Sequence, residues 1–377
     1  MKTALKHTAG ALALAAMAGL AGLAPALALA QPGDIPSYTA PQEETRNLDE
    51  IYAAAVKEGG KLVVYAGGDV PDGNAALEEA FRKRFPKIDI RIITDLSKYH
   101  DTRIDQQLAL GRLECDLAHL QTMHDFDRWK AQDLLEPYKP RGWAAVYPEF
   151  KDPDGAFTAI RIFAFSNTVD NTLADEAAPR DALDFLDPRY QGKLVLTYPH
   201  DDDAVLYQFD RIVSQYGWEY LDKLMQQNVH WIRGTVPAAR LVHSGGKTAT
   251  FTAAGSLAPG EKARFILPRQ DDFLAWPQMG AIFRAAKNKE AARLYMSWIL
   301  DKETIAALPF QWTVRRDAAN PAGYGPVFNY NTDVTAFRRF MADRGRIERL
   351  KGRFEHVIGP VQGENPTGAR GLYLLAK

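Results

Sequence analysis

Residues 53–92 read AAAVKEGGKLVVYAGGDVPDGNAALEEAFRKRFPKIDIRI, and this stretch decides the fold class because it alternates between two periodicities. It predicts a helix over 48–58 that ends at Gly59-Gly60, a strand over 61–66, a helix over 73–85 and a strand over 88–94. Helices that alternate with short apolar strands indicate a largely parallel sheet with helices on both faces.

The alternation continues through most of the chain. Further helices are predicted over 102–110, 124–132, 204–216, 219–227 and 289–300. Further strands are predicted over 116–120, 157–165, 193–197, 230–233, 248–252, 264–267 and 279–286, with mixed structure after residue 300. The extended segment 157–165 ends in Ser166-Asn167, where the chain would cross between two α/β lobes.

The first thirty residues have the layout of an export signal. Lys2 and Lys6 precede an apolar run over 11–23, and Ala28-Leu29-Ala30 forms a small-residue cleavage site before Gln31. We therefore expect a signal peptide over 1–30, a flexible proline-containing leader over 31–45 and a mature chain in the periplasm without stable membrane insertion. A lipoprotein would need a cysteine at the cleavage point, but the one cysteine is Cys115.

Composition argues against an intramolecular disulfide and against nucleic acid or anionic lipid as a partner. A single cysteine cannot close an intramolecular disulfide, so Cys115 is expected to be a core thiol. The 46 Lys and Arg residues, less Lys2 and Lys6, face 47 Asp and Glu residues, which leaves a net charge of −3. A nearly balanced charge offers no broad attraction to nucleic acid or anionic lipid.

The common catalytic and cofactor signatures are absent from the sequence. It contains no Gly-x-Ser-x-Gly, no phosphate loop ending in Gly-Lys-Ser/Thr, no Gly-x-Gly-x-x-Gly and no His-Glu-x-x-His. We expect no cofactor and no enzymatic activity. A secreted hydrolase that uses a carboxylate pair remains the rival from a different functional class.

Loops after the strands are the places where open α/β sheets bind ligands. These loops are rich in hydrogen-bonding groups at 67–69, 97–100, 121–123, 198–201 and 234–235. The candidate ligand-binding residues are Gly68, Asp69, Gln121, Thr122, Ser166, Asn167, Tyr198, His200, Asp201, Gly234, Thr235, Thr252 and Trp312.

Several of these residues have a purely structural interpretation as well. Gly67 and Gly68 would allow positive φ in a tight turn, and the acidic run 201–203 would cap a helix. If those carboxylates face the cleft, the ligand should carry hydroxyls, cationic groups or a metal. A metal site would use His200, Asp201 and Asp69, whereas tryptophans such as Trp276, Trp298 and Trp312 are more often core than ligand platforms.

Six sequence segments stand out by their joint order along the chain. The first lobe contributes AAAVKEGGKLVVYAGG (53–68), LEEAFRKRFPKIDIRI (77–92) and GRLECDLAHL (111–120). The later segments are GKLVLTYP (192–199), AAKNKEAARLYMSWILDKET (285–304) and QWTVRRD (311–317). Together they resemble the substrate-binding components of ABC importers in the iron(III)-type, family 1 branch of extracellular solute-binding proteins.

The resemblance implies a two-lobed periplasmic-binding-protein type II fold whose lobes, joined by crossing hinge strands, close on a ligand. The expected first lobe is 46–160 with 257–309, and the second is 161–256 with 310–377. The implied partners are a small polar organic ligand and the transmembrane subunits of an ABC permease, which acidic residues such as Glu78 and Glu79 would contact. The chain is expected to be a monomer.

Ferric-binding members carry a His-x-Glu pattern where this chain has Gly67-Gly68-Asp69, and a tyrosine pair where it has Thr248-Ala249-Thr250-Phe251-Thr252. Phenolate and carboxylate oxygens suit ferric iron, so their loss disfavours direct binding of a bare ferric ion. Import of ferric iron or another metal, bare or chelated, stays as the alternative to a small organic ligand.

Overall fold

The computed structural model describes residues 41–258, 260–308 and 311–368. The predicted signal peptide, the first ten residues of the leader and the last nine residues of the chain lie outside this part. Residues 41–45 belong to the predicted leader but contact the fold. The backbone of Glu43 forms an isolated β-bridge with that of Lys139, and the Glu43 carboxylate accepts hydrogen bonds from the backbone N–H groups of Gly142 and Ala144.

The first half of the chain alternates helices and strands as the sequence predicts. In order these are α1 (Leu48–Glu58), β1 (Lys61–Gly67), α2 (Ala75–Arg84), β2 (Asp89–Asp95), α3 (Ser97–Ala109), β3 (Leu117–Leu120), α4 (Met123–Ala131) and β4 (Thr158–Asp170). Helix α3 begins five residues before the predicted start. Its first turn, Ser97-Lys98-Tyr99-His100, is polar and has no apolar period to mark it.

The second half contains the remaining elements. In order these are β5 (Val195–Thr197), α5 (Asp203–Tyr216), α6 (Glu219–Met225), β6 (His230–Ile232), α7 (Thr235–His243), β7 (Ala249–Ala254), β8 (Ala263–Ile266), β9 (Leu274–Ile282), α8 (Lys289–Ile299), α9 (Lys302–Ala307), α10 (Ala336–Ala342) and α11 (Arg344–Ile358). Short 3₁₀ turns lie at 143–145, 148–150, 175–177, 182–186, 188–190 and 327–329.

The sequence analysis did not predict α7, α9, α10 or α11. Helix α11 is strongly charged and buries only Ile347 and Phe354, so few apolar residues mark it in the sequence. Strand β9 was predicted at 279–286 but lies at Leu274–Ile282, so the prediction left out its first five residues, which include Pro277. Pro277 is tolerated because it lies in the part of β9 that pairs with β4 alone, so its missing N–H interrupts no second ladder.

One mixed sheet in the order β2-β1-β3-β9-β4-β7, with β8 also on β4, runs through the described part of the molecule. Strand β1 pairs in parallel with β2 and β3, whereas the pairs formed by β9 and β4 are antiparallel. Strands β5 and β6 form a separate parallel pair. The α/β class is as predicted, but antiparallel pairing is more extensive than the alternation of helices and strands indicated.

Strand β4 joins two groups of elements. Its first half, from Thr158 to Phe165, pairs with β9, and its second half, to Asp170, pairs with β7 and β8. We call β1–β3 with α1–α4 and α8 the first lobe, and β5–β8 with α5–α7 and α11 the second lobe. Each has its own aromatic packing: Phe81 contacts Tyr295 and Trp298 in the first, and Phe209 contacts Phe251 and Phe354 in the second.

The ends of α1 show how local sequence fixes an element. The Asn47 side chain accepts from the backbone N–H of Glu50, whose carboxylate accepts from the backbone N–H of Asn47. Gly60 follows the helix with φ +64°, and an added Cβ would lie 2.7 Å from the Lys87 carbonyl oxygen. A glycine is therefore required where α1 turns into β1.

Candidate functional site

A cavity of about 110 Å³ lies beyond the carboxyl ends of β1, β2 and β3. Both lobes and the linking strands contribute to its wall, as the topology of an open α/β sheet predicts. The lining residues are Gly67, Gly68, Asp69, Leu96, Ser97, Lys98, Gln121, Thr122, Phe163, Phe165, Asp201, Asp202, Asp203, Thr235, Val236, Ala254, Trp276 and Gln278.

The glycines after β1 allow close packing rather than an unusual backbone conformation. Neither Gly67 nor Gly68 has a positive φ, so the interpretation as a left-handed turn is wrong. A Cβ at Gly67 would lie 2.3 Å from Oγ of Ser97, and one at Gly68 would lie 2.6 Å from Cγ2 of Thr94. Glycine is needed because the loops after β1 and β2 approach each other here.

Asp69, the next residue, reaches the second lobe. Its Oδ2 accepts hydrogen bonds from the backbone N–H of Thr235 (2.5 Å), the Thr235 hydroxyl (2.5 Å) and the backbone N–H of Val236 (3.3 Å). The carboxylate therefore lies at the N-terminus of α7, where free N–H groups and the helix dipole favour negative charge.

A second contact between the lobes is the ion pair of Lys98 with Asp201. Nζ of Lys98 lies 2.7 Å from Oδ1 of Asp201, while Nε of Arg233 donates to Oδ2 at 2.8 Å. Burial opposes ionisation of Asp201, but Arg233 and Lys98 together hold the pKa of its carboxyl below the usual range. Asp201 is thus a paired carboxylate that links the first turn of α3 to the second lobe.

Asp202 caps α5, as the structural interpretation of the acidic run predicted. Its Oδ1 accepts from the backbone N–H groups of Ala204 (2.8 Å) and Val205 (3.0 Å), and Gln121 donates to Oδ2 at 3.3 Å. Burial, with the negative charge of Asp69 as the next cause, raises the pKa of Asp202 to about 7. Asp203 differs, because Lys351 and Arg344 outweigh its burial and lower its pKa.

We expect Asp202 to make the ligand-free protein less stable as pH rises from about 4 to 7. In this range the folded state retains a proton that the unfolded carboxyl has released, so the free energy of unfolding falls by up to about 1.4 kcal/mol per pH unit from this group. Urea denaturation of wild type and Asp202→Asn across this pH range measures the effect as the difference between their free energies of unfolding. A difference that does not change with pH contradicts the prediction.

Six predicted site residues line the cavity: Gly68, Asp69, Gln121, Thr122, Asp201 and Thr235. Ser166 and Asn167 lie along β4 at a separate, smaller cavity, with their side chains donating to the carbonyls of Ile266 and Arg180. Thr252 is fully buried and accepts from the backbone N–H of Thr197 at 2.9 Å.

Four more predicted site residues are also absent from the cavity wall. Tyr198 is buried and packs against His200 and Trp231. Neither Tyr198 nor His200 lines the cavity. Gly234 precedes α7 with φ +81°, and its carbonyl accepts from the Thr197 hydroxyl. Trp312 is 0% exposed, stacks on Phe273 and donates its indole N–H to the Gly325 carbonyl, so it belongs to the core.

The hypothetical metal site is not assembled. Asp201 is occupied by Lys98 and Arg233, Asp69 by the N-terminus of α7, and His200 does not reach the cavity. In the described ranges no three His, Cys, Asp or Glu side chains are grouped so that they could hold a metal ion.

An aromatic wall is the feature that sequence reasoning missed. It consists of Phe163 and Phe165 on β4 and Trp276 on β9, with Trp276 opposite Phe163 in the strand register. The Trp276 ring lies 5.6 Å from that of Phe163 and 4.8 Å from that of Phe165. Phe163 and Phe165 share one strand face through their spacing of two, which is a detectable signal, but their partner depends on a register that spans over 100 residues.

Comparison with solved structures shows the fold. The iron-bound HitA of Pseudomonas aeruginosa is similar at 16% identity and a TM-score of 0.60, over 78% of this chain and 99% of that one. AfuA of Actinobacillus pleuropneumoniae with fructose-6-phosphate is similar at 18% identity and 0.63, over 80% and 100%. A substrate-binding protein of an Agrobacterium tumefaciens ABC transporter is similar at 17% and 0.64, over 79% and 94%. The fold is that of two-lobed type II periplasmic binding proteins.

The sequence model of the bacterial extracellular solute-binding proteins matches residues 118–330, more than half of the 377 residues. The chain therefore belongs to this family. Its members bind solutes for transport, which confirms the expectation that the chain is not an enzyme. Comparison with curated protein sequences gives no match. No helix among the described residues has the length and apolar character needed to cross a bilayer.

Proposed function

We propose that this protein captures a small polar organic ligand in the cavity, closes its two lobes around it and presents it to an ABC permease. The observation that carries the proposal is that loops from both lobes line one cavity and contact each other beside it. Asp69 meets Thr235, Lys98 meets Asp201 and Gln121 meets Asp202. A cavity of about 110 Å³ is smaller than the cavity of about 150 Å³ that holds benzene in another protein, so it suits a compact ligand no larger than benzene.

Hinge closure follows from the way the lobes are linked. Strand β4 passes from one lobe to the other, and the polar contacts across the cavity include those of Asp69 with Thr235 and of Lys98 with Asp201. A ligand that bridges both lobes stabilises the closed arrangement only by contacts that it makes more favourably there. The permease would then recognise the closed form. In this proposal the protein is a monomer in the periplasm, from which residues 1–30 have been removed.

Of the two acidic residues considered for permease contact, Glu79 is the better candidate. Its side chain is exposed on α2, whereas Glu78 pairs with Arg82 and accepts from the backbone N–H of Ile92 at 2.7 Å. Glu79 is therefore the residue whose charge is available to a basic permease loop.

Native mass spectrometry of the protein taken from its host periplasm tests the proposal. We expect an added mass that disappears on denaturation and that reappears when the isolated compound is returned. At about a hundred times its dissociation constant, this compound raises the free energy of unfolding by about 2.7 kcal/mol. Absence of any retained or stabilising compound, or conversion of the compound to a product, contradicts the proposal.

A further inference from the structure

The cavity wall contains four carboxylates that differ in how they are neutralised. Asp201 lies within ion-pair distance of Lys98 and Arg233, and Asp203 lies within that distance of Lys351 and Arg344. These two carboxylates are balanced by the protein itself. They therefore add little net negative charge to the cavity.

Asp69 and Asp202 have no such partner. Within the described ranges, no Lys, Arg or His side chain forms an ion pair with either carboxylate, and their hydrogen bonds come from neutral groups. The two approach from opposite lobes, one in the loop after β1 and the other at the start of α5. Two like charges in a partly enclosed space are unfavourable unless one is protonated or a cation lies between them.

The opposite wall is aromatic and contains unsatisfied polar atoms. Trp276 and Phe165 add aromatic surface, which attracts cations through the ring quadrupoles, and Phe163 already has the guanidinium of Arg161 over its ring at 4.4 Å. In this described part of the chain, Nε1 of Trp276 and Oγ1 of Thr122 are buried without hydrogen-bond partners. Buried polar atoms without partners are uncommon, and a hydroxyl group of a bound ligand is able to accept from the indole N–H or to pair with the threonine hydroxyl.

We propose that the ligand is a small organic ammonium compound, whose cationic group lies between Asp69 and Asp202 and whose carbon chain packs on Trp276, Phe163 and Phe165. This inference rests on the proposed solute-capturing function and specifies its ligand class. A ligand of about six non-hydrogen atoms that carries one ammonium and one hydroxyl group fits both the charge and the volume.

Anions and bare metal ions fit the same wall poorly. A phosphate or carboxylate would face Asp69 and Asp202, and the cation of the wall, Lys98, is already paired with Asp201. A metal ion prefers several oxygen or nitrogen ligands at short distance, but in the described ranges no three His, Cys, Asp or Glu side chains are grouped so that they could hold one. An organic cation is able to contact both the carboxylates and the aromatic rings of the wall.

Isothermal titration calorimetry on the ligand-free mature protein tests the inference. The probes are aminobutanol and putrescine, with butanediol as the neutral analogue of equal length, succinate as the anion and ferric citrate as the metal source. We expect the amines to bind and the other probes to give no heat. Asp69→Asn and Asp202→Asn should each weaken amine binding by about 10- to 100-fold, the usual range for a hydrogen bond to a charged group.

The matched control is Asp301→Asn, which makes the same change at the N-cap of α9, away from the cavity. It should leave amine affinity unchanged, and circular dichroism should show all three variants folded. Amine binding that survives both cavity variants, or that fails in the wild type, overturns the inference. If a neutral or anionic probe binds instead, the ligand class is wrong while the solute-binding function stands. If native mass spectrometry also finds no retained compound, both proposals fail.

Discussion

Replacing Arg103 with methionine lowers the free energy of unfolding by about 3 to 5 kcal/mol, because it leaves the charge of Asp95 buried without its partner. Nη2 of Arg103 lies 2.8 Å from Oδ2 of Asp95, and the two side chains are 3% and 0% exposed. Nη1 of Arg103 also donates to Nδ1 of His100. Nε2 of His100 in turn donates to the carbonyl of Ile93. Burial lowers the pKa of His100 to about 3, so the ring is neutral and accepts this bond.

This ion pair lies next to the residues of the cavity wall and stabilises their position. Asp95 ends β2, and Leu96, Ser97 and Lys98 of the cavity wall follow it directly. Oδ1 of Asp95 also accepts from the hydroxyl of Thr367, which follows α11 in the chain. Loss of the pair should therefore loosen the first turn of α3, which carries Lys98, as well as destabilise the fold.

Urea denaturation monitored by circular dichroism measures the effect. The double variant Asp95→Asn with Arg103→Met removes both charges, so we expect it to be more stable than Arg103→Met alone by about 1 kcal/mol or more. An Arg103→Met protein within about 1 kcal/mol of wild type, or a double variant that is less stable than this single one, would show that the pair contributes little.

Replacing Trp276 with alanine should cost about 3 to 5 kcal/mol of unfolding free energy and also weaken ligand binding. Trp276 is 2% exposed and packs on Phe163, Phe165 and Phe337. The same ring forms part of the cavity wall, so its loss removes a stacking surface and enlarges the cavity. We expect aminobutanol affinity to fall by about tenfold or more, since a desolvated cation over an aromatic ring contributes up to about 2 kcal/mol.

Trp312→Ala is the matched control for this prediction. Trp312 is equally buried but packs on Phe273, Tyr324 and Tyr330, away from the cavity. We expect a similar loss of stability and an unchanged amine affinity when both variants are titrated at a temperature where they remain folded. Equal losses of affinity in the two variants would refute the assignment of the aromatic wall to ligand binding.

Part of the site was accessible from sequence because it depends on local rules. Strand ends followed by polar loops predicted Asp69, Gln121, Thr122 and Asp201, which line one cavity, and the acidic run predicted the cap of α5. The predicted residues that lie outside the cavity include polar residues after or within a strand that form hydrogen bonds inside their own lobe. Thr252 bonded to Thr197 is one such case, and Ser166 bonded to Ile266 is another.

The sequence by itself determined the elements whose ends are fixed by neighbouring residues, such as α1 between the Asn47 cap and Gly59-Gly60, and it determined the α/β class. Only the tertiary structure decided that Trp276 rather than Trp312 faces the cavity, and that Asp69 meets a helix 166 residues further along the chain. The physical reason is range. Caps, turns and amphipathic faces arise from residues within a few positions of each other, whereas the wall of a cavity arises from strand register and lobe contacts between distant segments, which leave no local pattern.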